Sequence, residues 1–90
     1  MENSPLIDVY GADWCGDCIR AKAALNKFNA AFTWHNIESE EGAEQKAIDI
    51  SGQKHIPVVT FSDGSFMVEP TATQIKEKLE ELYRNKILSP

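Results

Sequence analysis

The sequence predicts one α/β domain in which a four-stranded mixed sheet is flanked by three helices. Its 90 residues suffice for a single domain, which is expected to span residues 1–90. Apolar runs of strand length alternate with segments whose apolar residues recur at helical spacing. An Asp-Gly dipeptide between two short apolar runs adds an antiparallel hairpin. Together these observations predict the order β-α-β-α-β-β-α.

A β-α-β unit is predicted in the first half of the chain. Residues 6–10 are mostly apolar, are bounded by Pro5 and Gly11, and form the first strand. An amphipathic helix follows over about residues 16–29. Its predicted apolar face consists of Ile19, Ala23, Leu25 and Phe28. Residues 32–37 are rich in aromatic and β-branched side chains and form the second strand, which a right-handed crossover makes parallel to the first.

A helix and a hairpin are predicted next. Residues 40–50 form a helix with an acidic start, and Gly52 is placed to end it. Residues 56–61 are the clearest strand, and residues 66–68 return antiparallel to it after the Asp-Gly turn. The compact solution for this order places helices on both faces of the sheet.

The last helix begins with a capping box. Thr71 and Gln74 have the spacing at which each side chain accepts a hydrogen bond from the other residue's backbone N–H. The helix is expected to end near Asn85. Its apolar stripe consists of Ile75, Leu79, Leu82 and Tyr83.

Charge and composition argue against several classes of function. The formal net charge is −5, whereas a phosphate-binding protein is expected to be basic, so nucleic acid is not an expected partner. No apolar run approaches the roughly 18 residues of a membrane span. Residues 1–5 lack the basic segment of a secretory signal. We therefore expect a soluble cytoplasmic protein, and we expect a monomer.

Cys15 and Cys18 are the only cysteines of the chain, and they lie where the first strand pattern gives way to the helical one. A disulfide between them would close a very small loop and add little stability, because that effect grows with loop length. Reactivity is the better explanation for the pair. Unpaired N–H groups and the positive dipole end at a helix N-terminus favour a thiolate, so Cys15 is the expected nucleophile.

Two other interpretations of the cysteine pair remain open at this point. The pair could be inert and buried in the core. It could also be half of a metal site, but zinc needs two further ligands, and His35 and His55 lie 20 residues apart, unlike the short helical spacing of zinc fingers. We expect no metal site and no tightly bound cofactor.

Four segments follow one another in a distinctive order. They are Trp14-Cys15-Gly16-x-Cys18, Ile56-Pro57-Val58, Phe61-x-Asp63-Gly64-Ser65, and Pro70-Thr71-Ala72 ahead of Ile75-Lys76-x-Lys78-Leu79. In this order they resemble the glutaredoxins of the thioredoxin-fold superfamily, and among these the mycoredoxins of actinobacteria. The resemblance runs over roughly residues 6–82 and implies a thioredoxin fold of the glutaredoxin type.

The resemblance implies a thiol–disulfide oxidoreductase that reduces protein disulfides or mixed disulfides. Cys15 would attack a disulfide sulfur, and Cys18 would then attack Cys15 and release the product. The expected partners are disulfide-containing proteins and a small-thiol reductase system. Many glutathione-binding glutaredoxins carry a Gly-Gly pair after the proline strand. This chain lacks one, which favours mycothiol over glutathione as the small thiol.

The resemblance also implies a substrate-binding surface around the cysteines. Pro57 corresponds to a cis-proline that faces the disulfide, although the sequence alone equally allows an ordinary trans proline. The backbone of Ile56 would pair with an incoming substrate strand. Trp14 is expected to shield the disulfide and to provide apolar docking surface. The implied contacts of the small thiol are Val58, Ser65 and Thr71.

Asp17 departs from the family pattern, since many glutaredoxins and mycoredoxins have an aromatic residue between the cysteines. Its carboxylate suits a helix start but should oppose the thiolate of Cys15. Lys22 lies on the same helical face as the cysteines, where it would offset Asp17, steer an anionic thiol or simply be solvated. Trp34 is expected to be a packing residue. Asp8 is one position away from matching the buried acid of thioredoxins, and one residue reverses the strand face.

Two alternative functions fit the same motif. One is a thioredoxin-like electron donor of the kind that serves ribonucleotide reductase and is recharged by a flavin reductase. The stretch typical of those donors is replaced here by Ser65-Phe66-Met67-Val68-Glu69-Pro70. The other is a glutaredoxin that binds a [2Fe–2S] cluster between two chains, since cysteine thiolates ligate such clusters.

Overall fold

A four-stranded sheet with helices on both faces forms the centre of the computed structural model, which describes residues 7–85. The elements are β1 Asp8–Gly11, α1 Gly16–Lys27, β2 Thr33–Asn36, α2 Ala43–Ser51, β3 Val58–Thr60, β4 Phe66–Val68 and α3 Ala72–Arg84. This class and this order confirm the prediction from the sequence. Leu6, the predicted first residue of the first strand, and residues 1–5 lie outside the described residues.

The sheet order brings three chain segments to one end of the sheet. The order is β2-β1-β3-β4, with β1 parallel to β2 and antiparallel to β3, and with β3 antiparallel to β4. The register pairs Gly11 with Asn36 and Tyr10 with Val58. The last residues of β1 and β2 therefore meet the first residue of β3 at one end. We call it the cysteine end, because the cysteine segment follows Gly11.

Side chains alternate between two cores, one on each face of the sheet. On one face, α1 and α3 pack over β1 and β3. The buried cluster there includes Ile7, Val9, Leu25, Val59, Phe61, Ile75, Leu79 and Leu82, and Tyr83 packs against it. On the other face, α2 covers Tyr10 and Val58. The predicted apolar stripe of the last helix is therefore confirmed.

The buried face of α1 differs from the predicted one. Ile19 is 53% exposed. The side chains that α1 buries are Cys18, Ala21, Ala24 and Leu25. Of the residues predicted to form the apolar face, only Leu25 is among these buried side chains, and Phe28 is half-buried. The prediction for Ile19 is wrong because Cys18 packs directly against β1 at Gly11. The following residue is turned by about 100° and faces solvent.

The ends of the helices follow local signals. Thr71 Oγ1 accepts a hydrogen bond from the Gln74 N–H at 3.1 Å, and Gln74 Oε1 accepts one from the Thr71 N–H at 2.8 Å. The predicted capping box is therefore confirmed. Helix α2 begins at Ala43 because Gly42, at a left-handed φ of 82°, precedes it, and Gly52 ends the helix as predicted. No helix between residues 7 and 85 combines the length and apolarity needed to cross a membrane.

Candidate active site

Cys15 is the N-cap residue of α1. Its backbone N–H donates to the carbonyl oxygen of Ala12 at 3.2 Å, which closes the turn between β1 and the helix. Its Sγ accepts a hydrogen bond from the backbone N–H of Cys18 at 3.3 Å. In most helices an oxygen of Ser, Thr, Asp or Asn takes this role, and here it falls to sulfur. The Cys18 N–H therefore fixes the position of Cys15 Sγ at the helix start.

The two thiols are both free, and they differ in exposure. Cys15 keeps 8% of its surface exposed, whereas Cys18 has none exposed. Burial, followed by the hydrogen bond with Cys15, raises the pKa of the Cys18 thiol to about 12. Cys18 Sγ also lies so close to the backbone of Gly11 that a Cβ atom there would overlap it. Cys18 is thus an enclosed, protonated thiol at neutral pH, and Cys15 is the accessible one.

The segment that precedes β3 faces the cysteines. The Ile56–Pro57 peptide bond is cis, which confirms the expectation from the resemblance. Ile56 packs against the cluster formed by the two cysteines and Ala12. Pro57 is fully buried, and its carbonyl oxygen accepts a hydrogen bond from the Glu69 N–H at 2.9 Å. The structure therefore brings Ile56 and Pro57 to the cysteine pair.

The three implied contacts of a small thiol have different placements. Thr71 lies at the start of α3 and lines a groove that reaches Asp17. The Val58 side chain is buried under α2, so its backbone alone lies at the cysteine end. Ser65 belongs to the turn after β3, where its N–H and hydroxyl donate to Asp63 Oδ1 at 3.0 and 2.6 Å. Because β3 starts at the cysteine end and runs away from it, the structure does not bring Ser65 to the cysteines.

A groove of about 510 Å³ extends from the cysteine motif along α1 to the start of α3. Its lining includes Ala23, Ala24 and Pro70, together with the charged side chains of Asp17, Arg20, Lys27 and Glu69. The side chain of Cys15 caps the same helix, two residues before Asp17. The groove therefore offers both apolar and charged surface next to the cysteine motif.

Asp17 forms an ion pair with Arg20, and both side chains are exposed. Arg20 is not among the predicted site residues, although the i,i+3 spacing of the two residues signals such a pair on a helix. The guanidinium partly offsets the negative charge that Asp17 brings to the helix start. The repulsion expected between Asp17 and a Cys15 thiolate is correspondingly smaller.

Trp14 is 69% exposed beside the nucleophile. Its Nε1 donates a hydrogen bond to Glu38 Oε2 at 2.8 Å. Nearby, Asn36 Nδ2 donates to Asp13 Oδ2 at 3.2 Å. These two bonds tie the turn before Cys15 to the end of β2 and to the segment that follows it. Glu38 and Asn36 carry no local sequence signal for this role, because they lie far along the chain from their partners.

Lys22 is half-buried, and its Nζ lies 3.6 Å from the centre of the Trp34 ring. Trp34 in turn packs against the cluster that contains both cysteines. The expected packing role of Trp34 is confirmed, and the packing takes place at the candidate site. Simple solvation of Lys22, one of the alternatives considered from the sequence, does not describe this contact.

Asp8 lies on the opposite face of the sheet from the cysteines and serves a different cluster. Its Oδ1 is 2.8 Å from His35 Nε2, and His35 Nδ1 is 2.9 Å from Glu40 Oε2. The His35 ring also stacks on Tyr10 with the ring centres 4.5 Å apart. Burial lowers the pKa of His35, but the bonds to Asp8 and Glu40 outweigh it and leave the pKa raised. Asp8 is therefore not placed to act on the cysteines.

The arrangement around the cysteines is suited to thiol–disulfide exchange. An accessible thiol at a helix start can attack a disulfide, and a second thiol close behind it can displace the product. Within residues 7–85, no group of three or more His, Cys, Asp or Glu side chains is placed to hold a metal ion.

Comparison with known proteins agrees with the fold and with this chemistry. The glutaredoxin family model matches residues 7–67, more than half of the chain. A Mycobacterium tuberculosis protein named as a glutaredoxin is 32% identical over 77 residues, which are 84% of this chain and 92% of that protein. Mycoredoxin 1 of Corynebacterium glutamicum is 26% identical over 76 residues, which are 84% of this chain and 95% of that protein.

A solved structure extends the match to the whole fold. The crystal structure of the glutaredoxin grx-1 from Archaeoglobus fulgidus is similar to this chain with a TM-score of 0.71 and 28% identity. The match covers 93% of this chain and 97% of that one. On the family match, the relatives and the geometry of the cysteine pair, the chain belongs to the glutaredoxin family of thiol–disulfide oxidoreductases.

Proposed function

We propose that this glutaredoxin reduces protein disulfides and mixed disulfides with both of its cysteines. Cys15 is the nucleophile and Cys18 is the resolving thiol. The observation that carries the proposal is the difference between the two thiols. Cys15 caps α1, accepts an N–H bond at 3.3 Å and is partly exposed, whereas Cys18 is fully buried behind it.

The reaction takes place in two exchange steps. The Cys15 thiolate attacks one sulfur of a substrate disulfide, the substrate S–S bond breaks, and the second sulfur leaves as a thiolate with the electron pair. Cys18 then gives its proton to solvent, attacks Cys15 Sγ and displaces the sulfur that was joined to it. The protein is oxidised to the Cys15–Cys18 disulfide, and the substrate gains two electrons.

Exposed apolar side chains around Cys15 support the docking of protein substrates. Trp14 is 69% exposed and Ile19 is 53% exposed. Ile19 follows Cys15 by four residues, which places it on the same side of the helix start. The backbone of Ile56, which precedes β3 at the cysteine end, would pair with an extended substrate segment as an added strand.

We propose mycothiol as the small thiol that returns electrons to the protein. The groove next to Asp17 supports a site for the part of the thiol that lies beyond its sulfur. Glu69 and Pro70 line this groove, and the chain has no Gly-Gly pair after the proline strand. The charged groups of the groove are balanced, with Asp17 and Glu69 against Arg20 and Lys27, which suits the uncharged sugar and inositol of mycothiol. The 26% identity to Mycoredoxin 1 supports the same choice.

We further propose that residues 1–90 act as one monomeric domain in the cytoplasm. The support is the use of both cysteines in one reactive motif. A small secreted domain usually distributes its cysteines as structural crosslinks between distant segments.

The test of the small thiol is turnover of one mixed-disulfide substrate with three electron sources. They are mycothiol with its reductase, glutathione with its reductase, and a flavin-dependent thioredoxin reductase. We expect the highest rate with mycothiol. Activity with thioredoxin reductase alone would overturn the proposal and favour the thioredoxin-like donor.

The same assay tests the roles of the cysteines. Cys15→Ser should abolish turnover with every electron source. Cys18→Ser should keep the attack on mixed disulfides of small thiols and lose most of the reduction of protein disulfides. A Cys15→Ser variant that retains turnover would show that Cys15 is not the nucleophile.

A further inference from the structure

Lys22 lies one helical turn after Cys18 on the same side of α1. Its Nζ is 3.6 Å from the centre of the Trp34 ring, and its side chain is half-buried. The far edge of that ring, at Cη2, would be 2.9 Å from a Cβ atom on Gly11, and Cys18 Sγ lies against the same point of β1. Trp34 therefore holds the Lys22 ammonium next to the enclosure of Cys18.

The second exchange step requires a negative charge on the sulfur of Cys18, whose buried surroundings disfavour that charge. Cys18 must become a thiolate, yet burial raises its pKa to about 12. A backbone hydrogen bond with Ala12, and then the positive charge of Lys22, act in the other direction and lower the pKa. The acidic side chains on the neighbouring segments each have a partner: Asp17 pairs with Arg20, Asp13 accepts from Asn36, and Glu38 accepts from Trp14.

We propose that Lys22, held over the Trp34 ring, is a positioning residue that stabilises the Cys18 thiolate during resolution. It therefore accelerates the second exchange step and not the first. The inference rests on the proposed function, because it assumes that Cys18 resolves a mixed disulfide at Cys15. It extends the site to a cation and an aromatic ring that the cysteine motif itself does not contain.

The size of the effect follows from how thiolate fraction and nucleophilicity change together. Loss of a nearby charge that raises the pKa by about one unit lowers the thiolate fraction about tenfold. The remaining thiolate is more basic and attacks faster, with a Brønsted coefficient of about 0.4–0.5. The resolution step should therefore slow about threefold to fourfold.

A single-turnover reaction separates the two steps. The reduced protein is mixed with one equivalent of the aromatic disulfide dithionitrobenzoate, whose thiolate product is coloured. The first coloured equivalent appears when Cys15 attacks and keeps the other half of the reagent. The second appears when Cys18, having lost its proton to solvent, attacks Cys15 Sγ and expels that half as a thiolate.

The variants are Lys22→Gln, Lys22→Arg and the control Lys76→Gln, which removes a charge from an exposed position on α3. Lys22→Gln should slow the second phase about threefold across pH 6.5–8.5 and leave the first phase unchanged. Lys22→Arg and Lys76→Gln should match the wild type in both phases. Urea unfolding of each variant shows whether it is folded.

Each outcome has one meaning. An unchanged second phase in Lys22→Gln, or a Lys22→Arg protein as slow as Lys22→Gln, overturns the role of the Lys22 charge. A wild type without the first phase overturns the nucleophile, and a wild type without the second phase overturns the resolving thiol. These last two results concern the proposed function and are distinct from the failure of the Lys22 inference.

Discussion

Gly11→Ala should destabilise the protein because it places a methyl group where Cys18 already lies. The new Cβ would overlap Cys18 Sγ and would be 3.2 Å from Cys18 Cβ and 2.9 Å from Trp34 Cη2. Carbon atoms in contact are normally about 3.5–4.0 Å apart. Neither neighbour can turn away freely, since Cys18 is fully buried and Trp34 packs against the cysteine cluster. Overpacking of this kind costs about 1–3 kcal/mol.

Equilibrium unfolding in urea measures the change, with Gly16→Ala as the matched control. A Cβ atom on Gly16 would meet only Arg20 Nη1, at an ordinary 3.5 Å. That substitution should leave the free energy of unfolding unchanged or raise it by up to about 1 kcal/mol, since alanine restricts the unfolded chain. If Gly11→Ala stays within about 0.5 kcal/mol of the wild type, β1 does not enclose Cys18 as described.

Three further changes probe other contacts. Thr71→Ala removes one half of the capping box and should lower the free energy of unfolding in urea by about 1 kcal/mol. Hydrogen bonds from Lys78 and then Ser65 hold the pKa of the Asp63 carboxyl well below its usual range. A carboxyl whose pKa is lower in the folded protein contributes stability that is fully present above the unfolded pKa of about 3.9 and is lost as pH falls. The urea midpoint should therefore fall more steeply below pH 4 in the wild type than in Asp63→Asn. Burial lowers the pKa of His35, but its two carboxylate partners outweigh burial and leave the pKa raised. This raised pKa contributes stability that is complete below about pH 6.5 and is lost as pH rises through the folded-state pKa. His35→Gln should remove that decline.

Each of these results can fail separately. Thr71→Ser keeps the hydroxyl and should stay close to the wild type, so an equal loss in Thr71→Ser and Thr71→Ala would contradict the capping contribution. Parallel acid profiles for Asp63→Asn and the wild type would contradict the ion pair with Lys78. A His35→Gln protein whose stability still declines between pH 6.5 and 8.5 would show that another group titrates there.

Local signals in the sequence are enough to predict most of the fold. The capping box at Thr71 and the helix end at Gly52 depend on residues only a few positions apart. The buried face of α1 is different, because helical spacing fits either a stripe through Ile19 or one through Cys18. The approach of Cys18 to Gly11 decides between them, and that contact joins two elements of the folded protein.

The candidate site divides in the same way. The N-cap position of Cys15 follows from a motif placed at a helix start. The bond from Trp14 to Glu38 and the contact of Lys22 with Trp34 bring together segments that the fold alone makes neighbours. The position of Ser65 away from the cysteines could have been predicted from the sequence. Ser65 lies in the turn after β3, and β3 begins at the cysteines and runs away from them.

Selective alkylation gives the most direct test of the division between an accessible nucleophile and a buried resolving thiol. The reduced native protein is exposed briefly to iodoacetamide near neutral pH, and peptide mass spectrometry locates the label. Cys15 should be labelled first, with Cys18 labelled only after the protein is unfolded. Labelling of Cys18 in the native protein at a rate equal to or above that of Cys15 would contradict the assignment of the two roles.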